Sequence, residues 1–256
     1  MASKSKKSFR GLSVKAALKI SIITLGVIAI VTTVAVIMHT SSIRASRAEY
    51  DQLRELVGDI QAELGEFGTV QHRALCEEMR QINPDFVGWI RIEGTDIDYP
   101  VVRGRDNEKY INTSFSGEEN IAGAIFMDYR NIGDLLEHTM SSPSLPHIII
   151  YGHNLQQGGM FTDLRKLLNA QFMEENNIIT LEIDGETVEF EIFSARRTDI
   201  NDPAFFLNFR YSHSFPRFAN RIGAPLRATQ ILTLATCVSD ARDDARIVVQ
   251  ASRIFD

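Results

Sequence analysis

Cysteine is scarce in this chain of 256 residues, which contains only Cys76 and Cys237. Two cysteines and no C-x-x-C pair exclude a disulfide-stapled scaffold and give no indication of a zinc ribbon or a dithiol redox site. Repeats and low-complexity tracts are absent, and 44% apolar and 23% charged residues exclude collagen-like and disordered chains. Basic residues are not in excess, since the net charge is −6, which argues against a nucleic-acid-binding protein. The chain therefore forms one substantial globular domain with appendages, or at most two small domains.

Acidic residues are missing from residues 1–39, whereas residues 1–19 contain Lys4, Lys6, Lys7, Arg10, Lys15 and Lys19. Residues 20–38 carry no charge, and a helix of that length spans about 28 Å, close to the hydrocarbon thickness of a bilayer. The basic segment predicts a cytoplasmic N-terminus, a single membrane span at 20–38 and an extracellular remainder. A signal peptide cleaved near residues 45–48 is the alternative, although its apolar region is usually only about 7–15 residues long.

Residues 39–81 are polar and predict a helix. Their apolar side chains recur mostly every three or four positions, as in an amphipathic helix that weakens near Gly65 and Gly68; these positions are Tyr50, Leu53, Leu56, Val57, Ile60, Leu64 and Phe67. The helix is either a stalk or, in the interpretation we favour, a helix packed along the side of the following domain. Cys76 is interpreted as a structural or incidental thiol, with Cys237 as its only possible disulfide partner.

Residues 82–256 predict a domain of short strands. The strand candidates are 86–92, 97–102, 124–127, 147–151, 180–183, 187–193, 230–236 and 246–252. Helical patches are expected at 107–112, 160–168 and 203–222. About eight strands with few long helices predict a mainly β fold, a closed or nearly closed β-barrel, and not a βαβ sheet.

Cys237 lies at the end of the predicted strand 230–236, directly before a polar turn. Most cysteines are small buried apolar residues, but a thiol at such a position is more accessible than one in a core. If the next strand forms an antiparallel hairpin with this one, its first residue, Arg246, lies beside Cys237. A guanidinium there would favour the thiolate or stabilise an oxyanion. Alternatively, Arg246 pairs with Asp243 or Asp244; Arg242 is a competing candidate but is expected to be solvated.

His153 follows an apolar strand and Gly152, so its imidazole can emerge at a barrel rim. An imidazole at that position can protonate a leaving amine and later deprotonate an incoming nucleophile. The alternative is a structural histidine. No other histidine of the chain follows a strand in this way; the others are His39, His72, His138, His147 and His213.

Residues 233–237, Thr-Leu-Ala-Thr-Cys, match the TLxTC motif of sortases, which are membrane-anchored cysteine transpeptidases of Gram-positive cell surfaces. Arg246 and His153, in Tyr-Gly-His-Asn, look like the arginine and histidine of that family. The finer pattern resembles class B sortases. The stretches that carry this finer resemblance are residues 83–90, 95–102, Asp106-Asn107 with Tyr110, 123–131 and Met160-Phe161.

The resemblance implies a sortase-type barrel at 82–256 with a long helix at 203–222 before the seventh strand. It also implies cleavage of the C-terminal sorting motif of a surface protein through a thioester, and transfer to an amine of a peptidoglycan precursor or of another protein. The implied catalytic residues are His153, Cys237 and Arg246, and no metal or cofactor is implied. A hydrolytic cysteine protease, a pilin-polymerising sortase and a non-catalytic surface binding barrel are the alternatives.

The candidate residues of the substrate groove are Asn107, Ile111, Ala235, Thr236 and Val238. Class B members often carry serine where this chain has Ala235, two positions before the cysteine, so a hydrogen bond to the sorting peptide is missing there. Asn107 could instead be a helix N-cap, and Ile111 a core contact.

Overall fold

The computed structural model describes residues 14–64, 69–131, 145–183, 186–209, 214–237 and 245–255. The chain is divided into two compact units, and the boundary lies between Ser42 and Ile43. In the first unit, the apolar side chains of residues 20–38 are exposed. They belong to helix α1 (Val14–Leu64), in which the Thr24 and Thr33 hydroxyls donate to the carbonyls of Ile20 and Ala29. By length and composition, α1 is the one described helix that could cross a bilayer.

The second unit is a closed barrel, and its described part has eight strands. The strands are β1 (Phe86–Ile92), β2 (Asp98–Val102), β3 (Ile125–Met127), β4 (His147–Tyr151), β5 (Ile178–Ile183), β6 (Glu186–Asp199), β7 (Ile231–Cys237) and β8 (Ala245–Arg253). Their order around the barrel is β1-β2-β3-β4-β7-β8-β6-β5, and β5 pairs back onto β1. The predicted barrel and all eight strand candidates are thus confirmed, with ends that shift by a few residues.

Strand β6 is the exception, because it is twice as long as predicted. Its first half pairs with β5, and residues 190–199 continue along β8. The second half alternates less clearly in hydrophobicity, with Arg196 and Arg197 in succession. Its pairing partner is distant in sequence, so the local pattern underestimates its length.

The later part of α1 packs on the barrel together with α2 (Thr69–Ile82). Buried side chains of α1 recur at helical spacing: Tyr50, Leu53, Val57 and Ile60. The Tyr50 ring meets the Tyr99 ring edge-on at 5.1 Å, and its hydroxyl donates to the Gly123 carbonyl at 3.2 Å. This part of α1 therefore lies along the side of the domain, as in the interpretation favoured above, and is not a free stalk. Cys76 of α2 is buried in the same layer.

The prediction of one long helix at 203–222 is wrong. The chain instead makes a 3₁₀ turn at Pro203–Phe205, continues without helix through 206–209 and then forms α4 (Ser214–Arg221). Phe206 turns to an extended conformation, and its ring packs near Phe209 and Phe218. This aromatic packing overrides the helical pattern, whereas the proline in the first turn of α4 suits a helix start.

The described part of the second unit has three further short helical elements. Residues Thr162–Leu168 form a 3₁₀ helix and lead into α3 (Ala170–Glu175), whose first turn is capped by the Asn169 side chain. A third 3₁₀ turn, Lys109–Ile111, lies between β2 and β3. The helical patches predicted at 107–112 and 160–168 are thus present as 3₁₀ structure, and the first of them contributes to the site described next.

Candidate active site

Strands β4, β7 and β8 bring the three candidate catalytic positions to one rim of the barrel. β7 and β8 form the expected antiparallel hairpin, in which Cys237 and Arg246 are direct cross-strand partners. β4 runs parallel to β7, with Tyr151 opposite Ala235. The end of β4, the end of β7 and the start of β8 are therefore adjacent, which places His153 two residues beyond the partner of Ala235.

The turn that presents His153 depends on Gly152. Its N–H donates to the Ala235 carbonyl at 3.2 Å. A Cβ atom at Gly152 would lie 2.5 Å from Ile125 and 2.8 Å from Phe161, too close for any side chain. Glycine is thus required where the chain leaves β4 and crosses the packed barrel end.

The imidazole of His153 is oriented by the backbone of the 3₁₀ turn. Nε2 lies 2.7 Å from the carbonyl oxygen of Ile111. Because a carbonyl can only accept, Nε2 carries the proton in this contact. The neutral ring consequently has its acceptor at Nδ1, the atom that can take a proton from a reacting group.

A cleft of about 260 Å³ opens at this rim. Its lining residues are Asn107, Ile111, Phe126, Tyr151, Gly152, His153, Ala235, Thr236 and Arg246. Two of the three predicted catalytic residues and four of the five predicted groove residues are among them; Val238 lies outside the described residues. Phe126, Tyr151 and Gly152 were missed. Tyr151 and Gly152 directly precede His153 in the motif and could have been proposed from it. Phe126 lies in the stretch 123–131 that resembles the family, but its sequence pattern does not indicate a lining residue.

The alternatives for Asn107 and Ile111, a helix N-cap and a core contact, are both wrong. Asp106, and not Asn107, accepts the N–H groups of Glu108 and Lys109, both at 2.9 Å. These bonds lower the pKa of Asp106. Ile111 is 38% exposed, so it is no core contact and can meet a ligand in the cleft.

Ala235 and Thr236 line the cleft at the end of β7, directly before Cys237 in the sequence. Ala235 is buried and packs with Ala204 and Val248. Thr236 is 2% exposed, and its hydroxyl has no hydrogen-bond partner among the described residues. Strand alternation places the side chains of Ala235 and Thr236 on opposite faces of β7.

Arg246 is half-buried at the start of β8 and donates from Nη1 to the carbonyl of Ala245 at 2.9 Å. The proposed partners Asp243 and Asp244, and the competitor Arg242, lie outside the described residues. A guanidinium keeps its charge at every relevant pH and presents several N–H donors in a plane. At this position it can bind an oxygen that gains negative charge in the cleft.

A buried carboxylate supports one wall of the cleft. Asp128 is fully buried, and its oxygens accept from Arg130 Nε at 2.8 Å and Nη2 at 2.7 Å. The Tyr151 hydroxyl and Asn107 Nδ2 donate to the same carboxylate, at 3.0 Å and 3.1 Å. Burial alone would raise the pKa of Asp128, but the hydrogen bonds and charge of Arg130 outweigh it, and the pKa lies below its ordinary value. Burial, followed by the Asp128 charge, raises the pKa of Tyr151.

His147, at the start of β4, is a structural residue. Its Nδ1 lies 2.8 Å from the Phe206 carbonyl and its Nε2 lies 2.8 Å from the Thr233 hydroxyl. Complete burial lowers its pKa to about 4, so the ring is neutral at physiological pH. Within the described residues, no group of three or more potential ligands could hold a metal ion.

The scaffold is that of a cysteine transpeptidase. It combines a closed barrel, a TLxTC motif at the end of a strand, an adjacent arginine and a nearby histidine. A family model, the sortase domain, matches residues 90–254, and the chain belongs to the sortase family. It is 30% identical to sortase B of Listeria monocytogenes over 187 residues, which cover 69% of this chain and 73% of that one. These matches place it with the class B sortases.

Solved structures agree with this assignment. The substrate complex of Staphylococcus aureus sortase B superposes with a TM-score of 0.69 at 29% identity, covering 82% of this chain and 97% of that one. A sortase B structure complexed with triglycine gives a TM-score of 0.69 at 28% identity, covering 82% and 98%. The similarity extends well beyond the barrel strands, because so much of both chains is covered.

Proposed function

We propose that this sortase cleaves the C-terminal sorting motif of secreted surface proteins and transfers them to an amine of the cell wall. In this proposal residues 20–38 anchor the enzyme in the cell membrane, residues 1–19 are cytoplasmic and the barrel is extracellular. The observation that carries the catalytic part is the cross-strand pairing of Cys237 with Arg246 at the rim that also bears His153.

The first half of the reaction forms a thioester. Nδ1 of His153 takes the proton of the Cys237 thiol, and the resulting thiolate attacks the carbonyl carbon of a threonine in the sorting motif. The carbonyl oxygen then gains negative charge. Arg246 and the backbone N–H of Val238 stabilise that oxygen. The carbon–nitrogen bond then breaks while His153 gives a proton to the departing amine, which leaves an acyl-enzyme.

The second half returns the enzyme to its starting state. An amine attacks the thioester carbon, His153 takes a proton from it, and the carbon–sulfur bond breaks. Cys237 leaves as a thiolate, which takes the proton back from His153. Transfer to an amine in preference to water requires the amine to be held in the cleft better than solvent is. The sortase B structures with a substrate and with triglycine support a sorting peptide and an amine as the two ligands.

The chemistry can be tested by mass spectrometry of the full chain incubated with a library of sorting-motif peptides. Each reaction is run with and without candidate amines, such as triglycine and a lysine-containing peptide, and Cys237→Ala is the control. A thioester on Cys237 that yields an amide product with the triglycine or cell-wall-type amine supports the proposal. Product release to water alone indicates a protease, transfer only to a lysine side chain indicates pilin polymerisation, and absence of any adduct contradicts the proposal.

The location is tested separately in cells. Fractionation of cells that express the full chain should place it with the membrane, and protease added outside intact cells should remove the barrel but spare an N-terminal tag. A chain released without residues 1–48 would instead indicate the cleaved signal peptide.

A further inference from the structure

We propose that Asp128 is a positioning residue for substrate binding, because its carboxylate fixes the Asn107 amide so that an N–H group faces the cleft. This inference rests on the proposed function, since it concerns how the sorting peptide is held. It adds a rule for specificity. Asn107 binds a ligand group that accepts a hydrogen bond, such as a peptide carbonyl oxygen, and disfavours a group that donates one.

Asp128 follows β3 directly and contributes no atom to the cleft lining. Its carboxylate is nevertheless the point where two lining residues meet, since Oδ2 accepts from Asn107 Nδ2 and from the Tyr151 hydroxyl. Arg130 supplies the counter-charge through Nε and Nη2. The carboxylate is thereby held ionised, so it can only accept hydrogen bonds.

The amide of Asn107 is fixed at both of its polar atoms. Oδ1 accepts the backbone N–H of Tyr129 at 3.0 Å, and Nδ2 donates to Asp128 at 3.1 Å. Neither bond can form if the amide is rotated by half a turn, because a carboxylate cannot donate and an N–H cannot accept. Nδ2 carries a second N–H, and Asn107 lines the cleft. In this proposal, the second N–H of Nδ2 is the group that Asn107 offers to a ligand.

Tyr151 is fixed by the same carboxylate from the end of β4. Its hydroxyl donates to Asp128, and its ring is stacked on Phe205 with an interplanar angle of 9° and centroids 6.5 Å apart. The buried Asp128 carboxylate is thus hydrogen-bonded both to the loop before the 3₁₀ turn and to the end of β4, two residues before His153. A shift of this charge would displace two lining residues, Asn107 and Tyr151, at once.

Removal of the charge should weaken substrate binding more than chemistry. In Asp128→Asn the new amide has a single oxygen, for which Asn107, Tyr151 and Arg130 compete, so the Asn107 amide can rotate. The loss of one oriented hydrogen bond predicts a KM for the sorting peptide that is about threefold to tenfold higher, with kcat changed less than twofold.

A double-mutant cycle separates positioning from general structural damage. Asn107→Ala alone should also raise KM by about threefold to tenfold, and adding Asp128→Asn to it should produce little further change. Asp85→Asn is the matched control. Asp85 accepts hydrogen bonds from Lys109 and Tyr110 of the same 3₁₀ turn but contributes nothing to the cleft lining, so its KM should stay at the wild-type value.

The outcomes are distinct. If wild-type enzyme forms no thioester, the proposed function fails. If it does, but KM of Asp128→Asn equals that of wild type, or the two single effects multiply in the double variant, the positioning role is overturned. Should Asp128→Asn not fold, Arg130→Gln replaces it. In that variant the Arg130 charge no longer offsets the burial that raises the pKa of Asp128. The carboxylate is then protonated more easily, so KM should increase as pH falls. A KM independent of pH would contradict the role.

Discussion

His153 donates from Nε2 to the carbonyl oxygen of Ile111 at 2.7 Å. Gly123 lies directly against that carbonyl oxygen, and its φ of +59° belongs to the left-handed region. The tautomer of the proposed general acid and base is thus set by backbone, and the position of that backbone depends on a residue with no side chain. The contact links a 3₁₀ turn to the catalytic rim.

Gly123→Ala should therefore reduce turnover. Its Cβ would lie 2.5 Å from the Tyr110 oxygen and 2.6 Å from the Ile111 oxygen, so the Ile111 carbonyl must move away from His153. We expect kcat to fall at least about tenfold, as for other losses of a positioned acid–base group. Gly117→Ala is the control, because Gly117 has a φ of +93° but open space around it. Both variants carry backbone strain, and equal kcat values in the two would contradict the prediction.

Arg246→Lys should slow thioester formation even though the charge is kept. An ammonium cannot reproduce the planar set of donors, and loss of one oxyanion donor typically costs about 100-fold to 1000-fold in rate. The rate is measured by mass spectrometry of the acyl-enzyme in single-turnover reactions. Arg253→Lys changes the same residue type at the far end of β8 and should retain the wild-type rate. An Arg246→Lys rate within twofold of wild type would remove the guanidinium from the mechanism.

Folding stability should fall in mild acid because of His147. Its pKa is about 4 in the folded chain and about 6.5 when unfolded, so the unfolded state binds the proton more readily. Stability is then unaffected above pH 6.5 and decreases as pH falls toward 4, by about 3 kcal/mol in all. Urea unfolding at pH 7.0 and pH 4.5 measures this. His147→Gln should show a smaller loss between the two pH values than the wild type, and an equal loss would assign the effect to other groups.

Leu53→Ala should destabilise the barrel unit by about 2–5 kcal/mol, as for other buried leucines. Leu53 is 6% exposed in the core cluster that joins α1 to the barrel. Glu55→Ala, two residues further along the helix and exposed, should change the unfolding free energy by less than about 0.5 kcal/mol. Chemical denaturation of both variants is the measurement. If Leu53→Ala is as stable as wild type, α1 does not contribute to the fold in solution.

The sequence was informative where function depends on neighbours in the chain. Cys237 and Arg246 lie on either side of one short polar stretch of sequence, so the hairpin and its cross-strand pair could be predicted from strand pattern alone. His153 could not be placed relative to them in that way, because β4 and β7 pair in parallel across a long connection. Its position after an apolar strand predicted a place at a barrel rim, and the resemblance to a family supported its membership of the same site.

Other parts of the site could not have been predicted from pattern. Asp128 and Arg130 lie in the stretch 123–131 that carries the family resemblance, but only the tertiary structure shows that the carboxylate is buried and bonded to two cleft residues. The helix expected at 203–222 failed for a related reason. Its aromatic residues satisfy helical spacing, but packing among Phe206, Phe209 and Phe218 stabilises a broken conformation instead.

The position of β8 in the barrel affects how the enzyme matures. β8 joins β7 to β6 and follows the other seven strands in the sequence. A ribosome must therefore translate all of those strands before the sheet can close and Arg246 can reach its neighbour. Incomplete nascent chains consequently lack Arg246, and proteolytic removal of β8 would take the proposed oxyanion-binding residue away from the folded enzyme.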